Sequence, residues 1–156
     1  RYMEKYFITQ HFPVCDHVYK YLLKMHGSDH IQVSRNHYIG MIILNLHTKN
    51  NHRPPARKKK LNKIFKVDIT EHYFAREGMF LHPDHAILFN DTIDGMFRDE
   101  VYKDALIRKY NDQHKIIQSM RNRLEIYDIV EDDIKLESLY RDFKRKKDDY
   151  EKIVKI

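Results

Sequence analysis

Residues 38–46 read YIGMIILNL, and whether this run is strand or helix decides the fold. Its apolar residues are too continuous for a period of 2 or of 3.6 to show, so spacing does not separate a buried strand from a buried helix. Composition favours strand. Ile39, Ile42 and Ile43 are β-branched and suit a pleated surface, whereas Gly40 inside a helix would cost about 1 kcal/mol relative to alanine. Downstream, residues 63–70 (KIFKVDIT) alternate, with Phe65, Val67 and Ile69 on one face and Ile64, Lys66, Asp68 and Thr70 on the other. That is the pattern of a half-buried strand. The simplest arrangement pairs 41–47 with 63–70 as an antiparallel hairpin, with IQV at 31–33 as a further short strand.

The hairpin places residues 49–62 at its tip. This stretch is polar, contains Pro54 and Pro55, and has no apolar pattern to bury. Adjacent prolines favour extended backbone, and a structureless loop of this length is usually functional or mobile. Within it, HRPPARKKKLNK at 52–63 holds seven basic residues, counting His52. No acid lies between Asp29 and Asp68, and the interval holds nine arginines and lysines. The rest of the chain has 20 basic residues against 23 acids, a net charge of −3. A mildly acidic body carrying one strongly basic segment points to a polyanionic partner more sharply than total charge does. Arg53 and Arg57 can grip phosphate bidentately, and Lys58, Lys59 and Lys60 act as point charges. Arg35, Lys63 and Lys66 support them.

Before the hairpin, a helix is expected from about Pro13 to His26. Proline suits the first helical position and Gly27 supplies a stop. Val14, Val18, Tyr21, Leu22 and Met25 would form its core face. From Asp84 the chain turns helical, with Ile87, Leu88, Ile93, Phe97, Val101, Ala105, Leu106 and Tyr110 as core candidates, and Gly95 invites a break into two helices. A helix over 113–124 presents Ile116, Ile117, Met120 and Leu124. A last helix, starting near Glu131, presents Leu136, Leu139, Tyr140 and Phe143. Its early acids and its late cluster Arg141, Lys144 and Arg145 complement the helix dipole, and that cluster is a secondary candidate for phosphate contact.

Apolar residues at 42% and charged residues at 33% exclude a disordered tail. The longest apolar run, MIIL at 41–44, is far short of the roughly 20 residues of a spanning helix. No secretory signal is read at the start, which opens on Arg1 rather than Met. One cysteine, Cys15, forms no internal disulfide, fits a reducing cytoplasm, and is expected to be a buried apolar thiol.

Other chemistries find less support. The helices at 113–124 and 131–147 suggest a helix-turn-helix, but their connection lacks glycine, and Glu131, Asp132 and Asp133 would meet phosphate at the second helix's start. His26 and His30 are four apart with Gly27 between them, and His82 and His85 flank Pro83 and Asp84. One cysteine leaves no thiolate pair for a zinc site, and we expect no metal. No phosphate-cradling glycine loop, nucleophile elbow or HExxH is present. The carboxylates Asp91 and Asp94, or Asp132, Asp133 and Glu137, are spacings that acidic helices produce by chance.

The sequence therefore reads as one α+β domain over 1–156, mostly helical. Residues 11–83 would hold the first helix and a small antiparallel hairpin with a basic, mobile tip, and 84–152 a helical bundle. The expected role is a non-enzymatic, cytoplasmic nucleic-acid-binding protein, with duplex DNA favoured over RNA. It would need no cofactor and no membrane. The competing class is a protein-interaction module, a homodimer for example, formed through the C-terminal amphipathic helices.

Overall fold

The computed structural model describes residues 7–48, 60–70, 83–109 and 111–154. Among these the order is β1 (Phe7–Val14), α1 (Asp16–His26), β2 (His30–Val33), α2 (Tyr38–Thr48), β3 (Lys63–Thr70), α3 (Pro83–Ile107), α4 (Gln113–Ile126) and α5 (Leu136–Val154). The chain is mostly helical with one small mixed sheet, and no helix of the described residues is long and apolar enough to cross a membrane. It divides between Ile93 and Asp94 into two compact units.

In the first unit the sheet order is β1-β3-β2. β3 runs antiparallel to β1, Phe12 facing Phe65, and parallel to β2, Val33 facing Ile69. Parallel neighbours cannot be joined by a tight turn and need a crossover of a dozen or more residues. Here that crossover contains α2. The run YIGMIILNL is therefore helix, and the hairpin of 41–47 with 63–70 does not form. Its glycine explains the misreading. A Cβ on Gly40 would lie 2.1 Å from the carbonyl oxygen of Ser34, so glycine there admits a close approach of the chain leaving β2. Ile39 and Ile43, one helical turn apart, fill the core.

The strand β1 replaces the expected start of the first helix. Val14 and Phe12 are buried as alternate strand residues, with Gln10 on the same face. Pro13 sits in β1 opposite Ile64, on an edge strand where a missing N–H is tolerated. α1 then begins at Asp16 and ends as expected, with Gly27 left-handed at φ 70° and its N–H donated to the Leu23 carbonyl at 2.8 Å. Val18, Tyr21 and Leu22 are buried, but Met25 is exposed. α1 packs on β3, and Phe89 of α3 stacks on Phe12 with ring centroids 4.3 Å apart. Asn90 Oδ1 accepts the Cys15 N–H at 2.9 Å. Cys15 is half-buried, not enclosed in apolar core, with Sγ 3.5 Å from His17 Nδ1.

At the far end of α1, His26 Nε2 lies 2.6 Å from the Tyr38 hydroxyl, and its ring neighbours His37, Tyr38 and Phe65. Burial, reinforced by His37, lowers the His26 pKa, and burial, reinforced by Tyr21, pushes the Tyr38 phenol up to about 12.

The second unit is helical. α3 is one unbroken helix rather than two. Exposed Gly95 lies within it, and a Cβ there would meet nothing within 4 Å. Its stripe Phe97, Val101, Tyr102 and Ala105 is buried, as are Ile116, Met120 and Leu124 of α4, whereas Ile117 is only partly covered. Leu139, Phe143 and Tyr150 of α5 complete the core, Tyr102 standing 5.6 Å from Phe143 and 5.7 Å from Tyr150. In α3's first turns the periodicity falls on Ala86 and Phe89 instead of Ile87 and Leu88, and Tyr110 is outside the described residues.

The two glycines inside helices should respond oppositely to the same change. Gly95→Ala, free of contact and relieved of glycine's backbone entropy, is expected to stabilise by about 0.5–1 kcal/mol. Gly40→Ala must displace backbone and is expected to destabilise by about 1–3 kcal/mol or more. Urea unfolding midpoints of the two variants check both signs. His26 adds a pH dependence. A histidine whose pKa is lower folded than unfolded stabilises above its unfolded value, near 6.5, and that contribution is lost as pH falls below it. Wild type should lose more stability than His26→Gln between about pH 6.5 and 5, read by thermal melts in the two buffers.

Candidate nucleic-acid interface

The alternation of β3 sends Phe65, Val67 and Ile69 inward and leaves Ile64, Lys66, Asp68 and Thr70 on the opposite face. Register builds that face into rows. His11 of β1, Lys66 and His30 of β2 stand side by side, and the next row holds Thr9, Asp68 and Gln32. Thr9, His11, His30 and Gln32 are exposed. Asp68 is the one carboxylate in these rows. It accepts from Thr9 Oγ1 at 2.6 Å, and His30 Nε2 lies 2.7 Å from the same oxygen. Burial acts to raise the Asp68 pKa, but the bonds from His30 and Thr9 and the charge of His30 outweigh it and hold the carboxyl below its ordinary value.

Lys60 and Lys63 lie exposed at the entrance to β3. Lys63 Nζ stands over the Tyr19 ring at 5.8 Å, and Tyr19 donates to Asp29 at 3.1 Å. Among the described residues no carboxylate forms an ion pair with Lys60, Lys63 or Lys66. Lys60 and Lys63 stand together at the start of the strand, Lys63 on the side of α1, whereas Lys66 projects from the opposite face beside His11 and His30. Arg35 is exposed two residues beyond Val33, which faces Ile69. Because β2 and β3 are parallel, it belongs at the other end of the sheet, roughly 20 Å from Lys63 at about 3.3 Å per residue. Arg53, Arg57, Lys58 and Lys59, and with them most of the tip at 49–62, lie outside the described residues.

The secondary cluster has a different environment. Arg141 donates to Glu137 at 3.1 Å, and Arg145 to Asp142 at 3.3 Å, while Lys144 lies 4.8 Å over the Tyr140 ring. Asp142 also takes bonds from Tyr102 at 2.6 Å, Arg98 at 3.0 Å and Lys146 at 3.1 Å. Burial would raise this carboxyl, but the bonds from Tyr102 and Lys146 and the nearby cations depress its pKa. Much of the positive charge of α5 is thus already answered within the chain.

The acids that weighed against a helix-turn-helix are turn residues. α5 begins at Leu136, not near Glu131. Glu131 accepts the Leu136 N–H at 3.2 Å, and Asp133 the Val130 N–H at 2.9 Å. The nine residues between α4 and α5 are also too many for the three- or four-residue turn of that motif. The carboxylates considered for catalysis are dispersed. Asp94 pairs with Arg98 at 2.9 Å and Glu137 with Arg141. Among the described residues no group of three metal-ligating side chains converges. His26 is committed to Tyr38 and His30 to Asp68, and His82 is outside the described residues.

Sequence reasoning missed one basic surface, on α4. Arg108, Lys115 and Arg123 line an open groove of about 430 Å³ between the end of α3 and α4, together with Asp104, Gln118 and Asn122. Asp104 accepts from Ser119 at 2.8 Å, Arg123 at 3.3 Å and Arg108 at 3.4 Å. The available signal was the excess of six cations over two acids between Lys103 and Arg123.

Comparison with protein-family models, with curated proteins and with solved structures returns no match.

Asp68 gives the sheet face an acid limit. A carboxylate with a depressed folded pKa stabilises above its unfolded value, near 3.9, and loses that contribution as pH falls through its folded value. Far-UV dichroism from pH 5 to 2 should therefore show a steeper acid loss in wild type than in Asp68→Asn.

Proposed function

We propose that the protein binds nucleic acid, duplex DNA foremost, by gripping the phosphate backbone with its basic segment and without catalysing a reaction. The observation that carries this reading is a contrast in charge placement. The cations at 30–67 occur with no acid between them, and Lys60, Lys63 and Lys66 have no ion-pair partner among the described residues, whereas Arg141 and Arg145 are paired with acids of their own helix. Excess cations at a surface are answered by solution anions or by a polyanion, and a polyanion gains by releasing condensed counterions. Arg53, Arg57, Lys58, Lys59 and Lys60 would hold phosphates at the arm, Lys63 would continue the contact at the start of β3, and Lys66 would add to it from the strand's other face. Arg35 would contribute only if the nucleic acid extends along the sheet. Contacts of this kind position a duplex without reading its sequence. A cytoplasmic location accords with the reading.

Dimerisation through the amphipathic C-terminal helix has less surface to draw on. Phe143 and Tyr150 are buried against Tyr102 in their own chain.

Mobility shifts of the intact chain on an arbitrary duplex, from about 50 to 200 mM salt, test the proposal. Neutralising Arg57, Lys58, Lys59 and Lys60 together should weaken binding at low salt by at least about tenfold. If each held one phosphate, the log–log salt slope should become shallower by about 3–4, at roughly 0.9 per lost contact. Equal affinity and equal slope in the two proteins would overturn it.

A further inference from the structure

The exposed face of α4 is built differently from those of its neighbours. α3 carries Asp94–Arg98, Asp99–Lys103 and Asp104–Arg108 as pairs four residues apart, and α5 carries Glu137–Arg141, Asp142–Lys146 and Lys147–Glu151. Such ladders are the ordinary furnishing of a solvated helix. α4 has none among the described residues. His114, Lys115, Gln118, Arg121 and Asn122 form a stripe opposite the buried Ile116, Met120 and Leu124. Arg121 donates to the Gln118 side chain at 3.2 Å and Gln118 to Asn122 at 2.9 Å, so the stripe is linked by amides and not by carboxylates.

The charge around this stripe is graded along the chain. Lys103 to Arg123 holds six cations against two acids. From Glu125 to Glu137 there are six acids against Lys135 alone. Of the two acids in the basic half, Asp112 is turned onto the His114 N–H at 3.0 Å as the N-cap of α4, and Asp104 is held by Ser119, Arg108 and Arg123. The N-terminal two-thirds of α4 can approach a polyanion, and its C-terminal end cannot. A five-residue turn, with Lys109 left-handed at φ 57°, joins α3 to α4 and leaves the start of α4 exposed.

We propose that α4 enters the major groove of duplex DNA N-terminus first and reads base edges with Gln118, Arg121 and Asn122, while Lys115 holds a flanking phosphate. The side-chain types fit. Arginine pairs bidentately with guanine O6 and N7, and asparagine and glutamine with adenine N6 and N7. B-form duplex is the partner because its major groove admits a helix, whereas that of A-form RNA is too narrow. The inference rests on the nucleic-acid reading above and adds sequence discrimination, which the basic arm alone does not supply.

The experiment is selection of bound duplexes from a DNA pool with a randomised core, using the full chain, followed by sequencing and by titration on the enriched duplex and its RNA counterpart. Wild type should enrich a short motif, and DNA should bind at least tenfold tighter than RNA of the same sequence. Arg121→Ala and Asn122→Ala, both at exposed positions, should each lose preference at one or two base pairs, about fivefold or more per pair. Their melting temperatures should be unchanged. Duplex binding with no enriched motif, a motif unaltered in both variants, or equal binding of the RNA duplex overturns the role of α4 and leaves the basic arm's grip standing. No binding to any duplex at 50 mM salt removes both readings.

Discussion

The central position of β3 is the constraint on which the first unit depends. A strand with hydrogen-bonded neighbours on both sides has no free edge, and its two pairings here have opposite senses. The antiparallel partner β1 comes from far upstream, and the parallel partner β2 has to be reached through a crossover. That crossover contains α2, and α2 leaves β2 so closely that only glycine fits beside the Ser34 carbonyl. The basic segment is then the return leg from α2 to β3. It ends where Lys60 and Lys63 stand at the strand's entrance, on the side of the sheet opposite the turn that carries Arg35. The topology that buries Phe65, Val67 and Ile69 thereby also decides which cations become neighbours.

Charge in the second unit is disposed by the opposite rule. Asp142 is buried, and a buried carboxylate is tolerable only when donors surround it. Tyr102, Arg98, Arg145 and Lys146 do so from two helices. Tyr150 bonds to Asp99 and Tyr127 to Glu100, adding two more phenol–carboxylate contacts. The Tyr102 and Tyr150 phenols rise in pKa, by burial first and carboxylate contact second, so they remain protonated donors through the physiological range. Cations spent on this network are unavailable to an external anion, and for that reason the late basic cluster of α5 is a weaker candidate than its composition suggests.

What the sequence disclosed and what it withheld follow from how local each signal is. KIFKVDIT alternates within eight residues, and Gly27 stops α1 through its own backbone, so both are legible without tertiary knowledge. FITQHFPV was not legible, because its inward row contains Gln10 and its outward row contains Phe7 and Pro13, which blurs the alternation. YIGMIILNL misled through Gly40, whose cost in an isolated helix is real but is outweighed by a contact with Ser34 that no window around residue 40 displays. The absence of acids from 30 to 67 could be read directly. The face of α4 could not, since its cations are diluted by the surrounding acids until ion pairs have been assigned residue by residue.

That assignment changes how a basic protein is to be read. Surface ion pairs contribute little to stability, typically 0–1 kcal/mol, yet each one fixes a cation against a local acid and reduces the potential it projects outward. Ladders of such pairs on α3 and α5 leave those faces nearly neutral at the distance of an approaching duplex, since their fields fall off within about one Debye length, roughly 8–10 Å at moderate salt. Lys60, Lys63 and Lys66 on the sheet, and Lys115 and Arg121 on α4, lack that local compensation among the described residues, so their fields extend furthest. Net charge, +6 over the whole chain, distinguishes none of these surfaces. The distribution of unanswered cations does, placing Lys60 and Lys63 at the start of β3, Lys66 on that strand's other face, and Lys115 and Arg121 on α4.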